Sequence, residues 1–308
     1  MLSSTPYLPK GVHVLERGWL SANNILFADG EKTLMVDSGY CSHATQTVLL
    51  VESCLGGRPL DMLVNTHLHS DHCGGNAALQ GRYPELLTFI PPGQAAHVSD
   101  WDPVALTFVP TGQTCPPFTL TDTLKPGGRI QFGSTWWEIH AAEGHDPHSV
   151  VFFEPLAGIL ISADALWENG FGVVFQELEG VDAFAEVAAT LDLIERLNPK
   201  TVIPGHGRVF SYMPDTLLIA RQRLNAFVNN PTKHATHAAK VLLKFKLLEV
   251  QKQLLEDFMH WAQVTPYLGQ IQQKFFPELT LSNWVAQLCT ELITANAARR
   301  EGAYILNH

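Results

Sequence analysis

The chain has 308 residues, 46% of them hydrophobic and only 16% charged, so a sizeable core is available and disorder over most of the length is excluded. Twenty Lys and Arg against 30 Asp and Glu leave a formal charge of -10, which repels a phosphate backbone, so nucleic acid is not an expected partner. No run reaches the roughly 18 apolar residues of a membrane-spanning helix, and residues 1–10 lack the start of a secretory signal. The five scattered cysteines form no C-x-x-C and suit reduced thiols, so the expectation is a cytoplasmic protein with no membrane partner.

Short apolar runs at 11–15, 24–28 and 33–36, broken by Arg17-Gly18 and Asp29-Gly30, predict three strands. A helical pattern over 43–55 and a buried strand at 62–64 follow, and strand, loop and helix then alternate as in an α/β protein. Residues 102–128, rich in Pro, Thr and Gly, read as a long irregular insertion. Strand pairs are expected at 129–132 with 135–140 and at 149–153 with 159–162. An amphipathic helix starts near Asp182, and a last strand spans 201–203. From about Met213 the pattern is helical only. Asn230-Pro231 and Thr265-Pro266 read as helix starts, one long apolar helix is expected over 240–259, and a final one over 282–300. The expected domains are therefore 1–212 and 213–308.

Fourteen histidines are unevenly spread. The densest segment is Asn65-Thr66-His67-Leu68-His69-Ser70-Asp71-His72, directly after the 62–64 strand, where a loop emerges at a strand end. Imidazole and carboxylate suit zinc and other first-row metals. His67 and His69, alternating on an extended loop, can point at one ion, while Asp71 and His72 turn towards a second.

With those residues the sequence resembles the metallo-β-lactamase-fold hydrolases, whose hallmark is His-x-His-x-Asp-His after a short strand. The resemblance extends to Asp37 after Leu34-Met35-Val36, to Gly144-His145, to Asp164 after Ile161-Ser162-Ala163, and to Pro204-Gly205-His206-Gly207 after an apolar strand. All five motifs stand in the family order. The resemblance implies an αββα four-layer sandwich, here followed by an all-helical C-terminal region. It implies His67, His69 and His145 on a first metal, Asp71, His72 and His206 on a second, and Asp164 bridging them, with Asp37 bracing the ligand loop. Two divalent ions are implied, zinc first, with iron or manganese as alternatives. Many relatives read Gly-His-Thr-Pro-Gly-His where this chain has Gly144-His145-Asp146-Pro147-His148. The displaced His148 can be an outer partner, a proton donor to the leaving group or a helper for its loop, and the loop role is preferred.

The chemistry implied is hydrolysis by a metal-bridging hydroxide, with Asp71 and Asp164 as catalytic carboxylates, in the manner of the glyoxalase-II-like branch. An ester, thioester or lactone of small size is the expected substrate. A phosphodiesterase or nuclease of the same fold and a mono-iron sulfur dioxygenase are the alternatives. Trp167 and Phe171, just after Asp164, are the expected substrate contacts. His234 and His237 read as a surface pair, and Cys73 as a small buried thiol. The 240–259 helix, apolar on nearly all sides, needs cover from its neighbours, from the first domain or from a second chain, so a homodimer is one expectation.

Overall fold

Alternation within short strands creates the layers that carry the histidines. A computed structural model describes residues 6–308. One sheet takes its strands in sequence order: β1 (Val12–Leu15), β2 (Asn24–Phe27), β3 (Leu34–Val36), β4 (Met62–Val64), β5 (Leu87–Ile90) and β6 (Asp122–Thr123). β1 to β3 run antiparallel, and β3 to β6 run parallel. The other sheet contains β7 (Arg129–Phe132), β8 (Thr135–Ala141), β9 (Val150–Glu154), β10 (Ile159–Ala163), β11 (Thr201–Pro204) and β12 (Phe210–Ser211). Only β10 and β11 are parallel there. A parallel pair needs a crossover, which includes α7 (Ala183–Leu197).

Ile25, Phe27, Leu34, Val36 and Val64 of the first sheet share a core with Phe132, Trp137, Phe152, Ile161 and Ile203 of the second. The intervening residues Leu26, Met35 and Leu63 face the opposite way. They pack with Val51 and Leu55 of α1 (Ala44–Leu55) and with Leu79 of α3 (Asn76–Arg82), which follows the short α2 (Ser70–Cys73). A strand covered on both faces reads as a continuous apolar run, which is why these segments stand out in the sequence. The 102–128 stretch is not wholly irregular. It follows α4 (Ala95–Asp100) and holds the one-turn α5 (Phe108–Thr111) as well as β6, and α6 (Phe175–Glu179) precedes α7.

The chain forms two compact units, one running to Asp102 and resuming over Cys115–Asn225, the other made of Pro103–Thr114 and Ala226–His308. The division falls within α8 (Pro214–Val228), not at residue 212, and the second unit takes a piece of the insertion. That unit is also not all-helical. It contains α9 (Pro231–Val250), β13 (Lys252–Leu254), α10 (Leu255–Val264), α11 (Pro266–Phe275), α12 (Leu281–Thr294), β14 (Ala298–Glu301) and β15 (Tyr304–Asn307), with the strands in the order β13-β15-β14. The expected 240–259 helix breaks at Gln251, which has φ 59 and donates from Nε2 to the Leu248 carbonyl at 2.6 Å. The expected 282–300 helix ends at Thr294. Asn296 with φ 58 redirects the chain, and a Gly302-Ala303 turn folds Ala298–Glu301 onto Tyr304–Asn307. Ala-Arg-Arg-Glu favours a helix, but pairing in the sheet and burial of Ala298 and Ile305 override that preference. Asn230 caps α9, accepting from the Lys233 amide at 3.0 Å, whereas Thr265 bonds back to the Trp261 carbonyl and leaves the start of α11 without a side-chain cap. Among the described residues no helix is long and apolar enough to cross a membrane.

Candidate metal centre

All five motifs sit just beyond the C-terminal ends of strands, on loops after β3, β4, β8, β10 and β11. Asp37 follows β3 in the left-handed region (φ 57), which Asp and Asn visit more often than other residues with a Cβ. Its carboxylate accepts from the Thr66 amide, the Thr66 hydroxyl and His72 Nδ1, each at 2.8 Å. The Ser38 amide donates to the His72 carbonyl at 2.7 Å, and the Ala22 amide to the Asp71 carbonyl at 2.9 Å. These bonds hold the β4 loop and α2 in one orientation.

Hydrogen bonding on the far side of each ring decides which nitrogen faces inward. His145 Nδ1 donates to the Val173 carbonyl at 2.7 Å, and His206 Nδ1 to the Gly18 carbonyl at 3.1 Å. The Thr66 hydroxyl gives its proton to Asp37, so its oxygen accepts from His67 Nδ1 at 3.1 Å. The Nε2 atoms of His67 and His145 are thereby left as lone pairs, while those of His72 and His206 face the carboxylates of Asp164 and Asp71. His67 Nε2 lies 3.2 Å from His69 Nδ1 and 3.3 Å from His145 Nε2. Beside this group stands a second, Asp71, His72, Asp164 and His206. There His206 Nε2 is 3.0 Å from Asp71 Oδ2, and Asp164 lies 3.5 Å from His72 Nε2, 3.5 Å from His145 Nε2 and 3.8 Å from His206 Nε2. Asp164 thus faces both groups.

The donors fit metal ions. The lone pairs of His67 Nε2 and His145 Nε2, 3.3 Å apart with no proton between them, repel unless a cation sits beside them. His72 Nε2 is buried with no hydrogen-bond partner. Two glycines leave room for the cluster. A Cβ on Gly205 would strike Asp164 Oδ1 and come within 2.9 Å of His72 Cε1, and one on Gly172 would strike the His145 ring.

Electrostatics differ between the two groups. Burial, then the neighbouring imidazoles, holds His67 well below the ordinary histidine value; burial lowers His69 and pushes His145 down to about 4. In the second group burial is outweighed by carboxylates. Asp37 and Asp164 hold His72 well above the usual value, and Asp164 and Asp71 raise His206. Burial also opposes the Asp164 charge, but His206 and His72 hold its carboxyl well below the carboxylate range. One consequence is measurable in the metal-stripped chain. Unfolded His145 takes up a proton near 6.5, folded His145 only near 4. Between those values the unfolded state binds more protons, so stability falls as pH falls, by about 3 kcal/mol from this residue. His67 and His69 act in the same direction. The stabilisation from the raised His72 and His206 is already complete below pH 6.5, so it does not offset the slope. Urea midpoints in chelator should therefore drop from pH 6.5 to 4.5, and a midpoint that held or rose would contradict this.

The remaining expected residues are placed as follows. Trp167 donates from Nε1 to Asp164 Oδ1 at 3.1 Å. Phe171 is 1% exposed beneath the Arg223 guanidinium, and it lines a small cavity with His145 and Asp164. His148 stands outside both donor groups, its amide bonded to Asp146 at 2.8 Å and its ring against Gly93. His234 is buried rather than on the surface, and it and His237 pack on Phe227. Cys73 is buried, its Sγ 3.8 Å from that of Cys115. Sequence reasoning missed Asp146, buried with a carboxylate oxygen 3.9 Å from His69 Nε2, although its place between His145 and Pro147 was a signal. It also missed Trp19, stacked on His206 with 9° between the rings. Nothing in Arg17-Gly18-Trp19 signals that contact.

The family model of the metallo-beta-lactamase superfamily matches residues 17–206, well over half of the chain and a stretch that includes every donor described. The chain belongs to the metallo-beta-lactamase superfamily. Within the superfamily it is 25% identical over 182 residues to a protein of Thermosynechococcus vestitus named hydroxyacylglutathione hydrolase. The match covers 59% of this chain and 60% of that relative, so the chain spans about three-fifths of the relative's length. A metallo-beta-lactamase family protein from Thermus thermophilus, TTHA1429, shares the fold over 98% of this chain and 100% of its own, with a TM-score of 0.56 at 16% identity. The structure of TTHA1623 in a di-iron-bound form has a TM-score of 0.51 at 27% identity, covering 70% of this chain and 100% of that one.

Proposed function

We propose that this superfamily member is a dinuclear metal-dependent hydrolase that cleaves an ester, thioester or lactone of a small molecule. The observation that carries the reading is the pair of adjoining donor groups, one of three neutral imidazoles and one mixing imidazoles with carboxylates, with Asp164 facing both. Bound in such groups, a pair of divalent ions acidifies water and polarises a carbonyl oxygen. In this reading His67, His69 and His145 hold one ion, Asp71, His72 and His206 the other, and Asp164 joins them. Asp37 keeps the proton on His72 Nδ1, so that Nε2 stays a donor. Asp71, whose side chain is 14% exposed, is the carboxylate open to solvent and orients the attacking water, with Asp164 fixed from behind by Trp167. Zinc is the ion proposed, since imidazole and carboxylate suit it; the di-iron form of TTHA1623 makes iron the alternative.

A carbonyl centre is favoured over a phosphodiester because the chain carries a formal charge of -10. The relative named hydroxyacylglutathione hydrolase points to the same class of bond. Elemental analysis of the purified chain should give about two ions per chain. Chelation should abolish hydrolysis of an ester, thioester or lactone panel, and added metal should restore it. One ion in a fully loaded protein would overturn the dinuclear reading. Faster turnover of bis-nitrophenyl phosphate than of the whole panel would overturn the substrate class.

A further inference from the structure

Beside His206 lies a corner of aromatic rings that the donor groups do not use. Gly18 accepts from His206 Nδ1 at 3.1 Å, and the next residue lays its indole over the same ring: Trp19 and His206 are stacked, centroids 5.5 Å apart and planes 9° apart. Trp167 stands nearly perpendicular to both, 68° from Trp19 at 5.3 Å and 77° from His206 at 5.5 Å. Its Nε1–H is spent on Asp164 Oδ1, so the indole cannot swing away without losing that bond. Trp19 nevertheless remains 56% exposed. One face of its ring is covered by His206, whereas much of the rest meets solvent, within one ring's width of the nitrogen that touches Asp71 at 3.0 Å.

Trp19 is set by ring contacts with His206 and Trp167, and aromatic rings favour parallel-offset or edge-on partners. The corner offers both at once, a plane from Trp19 and an edge from Trp167. We propose that Trp19 is a specificity-determining residue, and that its open face, with Trp167 at its edge, receives a flat, unsaturated apolar group of the substrate next to the bond that is cleaved. This assignment rests on the hydrolase reading for the word substrate, but its geometry can be tested without turnover. A planar group continues the Trp19–His206 stack as a third ring. A saturated ring of similar volume is puckered and cannot lie flat on the indole. The selection is therefore for shape, beyond apolar area alone.

The test uses the full-length, metal-loaded protein and two carboxylates of matched size, 2-naphthoate and its fully saturated decahydro analogue. Titration calorimetry should show the planar compound binding about tenfold tighter, the range of one aromatic stacking contact. Trp19→Ala should bring the ratio to about twofold or less, and Trp19→Phe should keep most of it, as expected when one stacking partner is removed or retained. The metal content of both variants should equal that of the wild type. Equal affinity for the two compounds in the wild type, or an unchanged ratio in Trp19→Ala, overturns the assignment. So does loss of metal from Trp19→Ala, which would make Trp19 a support for His206 instead. In kcat/KM on paired naphthoyl and decahydronaphthoyl esters the same preference should appear. A protein that prefers the planar ligand but cleaves nothing in the panel would keep this assignment and sink the hydrolase reading, so the two fail separately.

Discussion

Replacing Asp164 by alanine is expected to lower kcat/KM by about a thousandfold or more, since several kcal/mol of transition-state stabilisation are at stake at 1.36 kcal/mol per decade. The reason is positional. Its carboxylate lies 3.5 Å from a first-group nitrogen, His145 Nε2, and 3.5 Å from a second-group nitrogen, His72 Nε2. Metal content per chain should fall below that of the wild type. Asp164→Asn should be milder in its effect on folding, because an amide oxygen can still accept from Trp167 Nε1, but its loss of charge should still cost most of the activity. Elemental analysis alongside steady-state kinetics checks both. A kcat/KM within about tenfold of wild type, less than 1.4 kcal/mol, would show that the two donor groups do not act through this residue.

The second large effect is expected at Asp37, which touches no substrate. Alanine there leaves the buried Thr66 amide, the Thr66 hydroxyl and His72 Nδ1 without their acceptor. Breaking one partner of a buried ionic and hydrogen-bonded set costs about 3–5 kcal/mol. Alanine at φ 57 also sits in a left-handed conformation that it visits less readily than Asp or Asn. A residue that orients a metal ligand typically changes affinity about 10–100-fold, and here the loss should fall on the Asp71, His72 and His206 group. Asp37→Asn separates the two effects, because asparagine tolerates the left-handed region and keeps one acceptor. Urea unfolding of both variants, with and without metal, measures the stability part, and competition with a chelator measures the affinity part. A fully stable Asp37→Ala that retained wild-type affinity would mean that Thr66 and His72 are held by something else.

These two residues also show what the sequence makes legible. Asp37, Asp71, Asp164 and the ligand histidines stand after apolar runs in an order that resembles the motifs of the metallo-β-lactamase-fold hydrolases, and that resemblance is what names them. The structure gathers all seven expected donors into two groups. What it adds are contacts across the chain that no local pattern encodes. His206 is bonded to Gly18, 188 residues earlier, and that bond is what brings Trp19 over the ring. Gly205 and Gly172 look like ordinary loop glycines until the atoms that a Cβ would strike are known. The C-terminal hairpin is hidden for the opposite reason: Ala-Arg-Arg-Glu carries a strong local preference, and the partner strand that defeats it lies in the last residues.

The second unit's two-piece construction bears on how the protein is made. Pro103–Thr114 belongs with Ala226–His308, and within that unit α5 packs against α11, with Gly112 fitted against Thr265 and Trp261. On a ribosome the first piece emerges long before the rest, and at about 5–20 residues per second it waits roughly 10–40 s for residue 308 to be added. Throughout that interval Phe108, buried in the finished fold, lacks the neighbours that the later residues supply. The sheets and their histidine loops can close in the meantime, while the nascent chain carries a sticky segment between two of its strands. Folding of this chain should accordingly depend on a chaperone that shields short apolar stretches during synthesis, and more so when translation is slowed after residue 114.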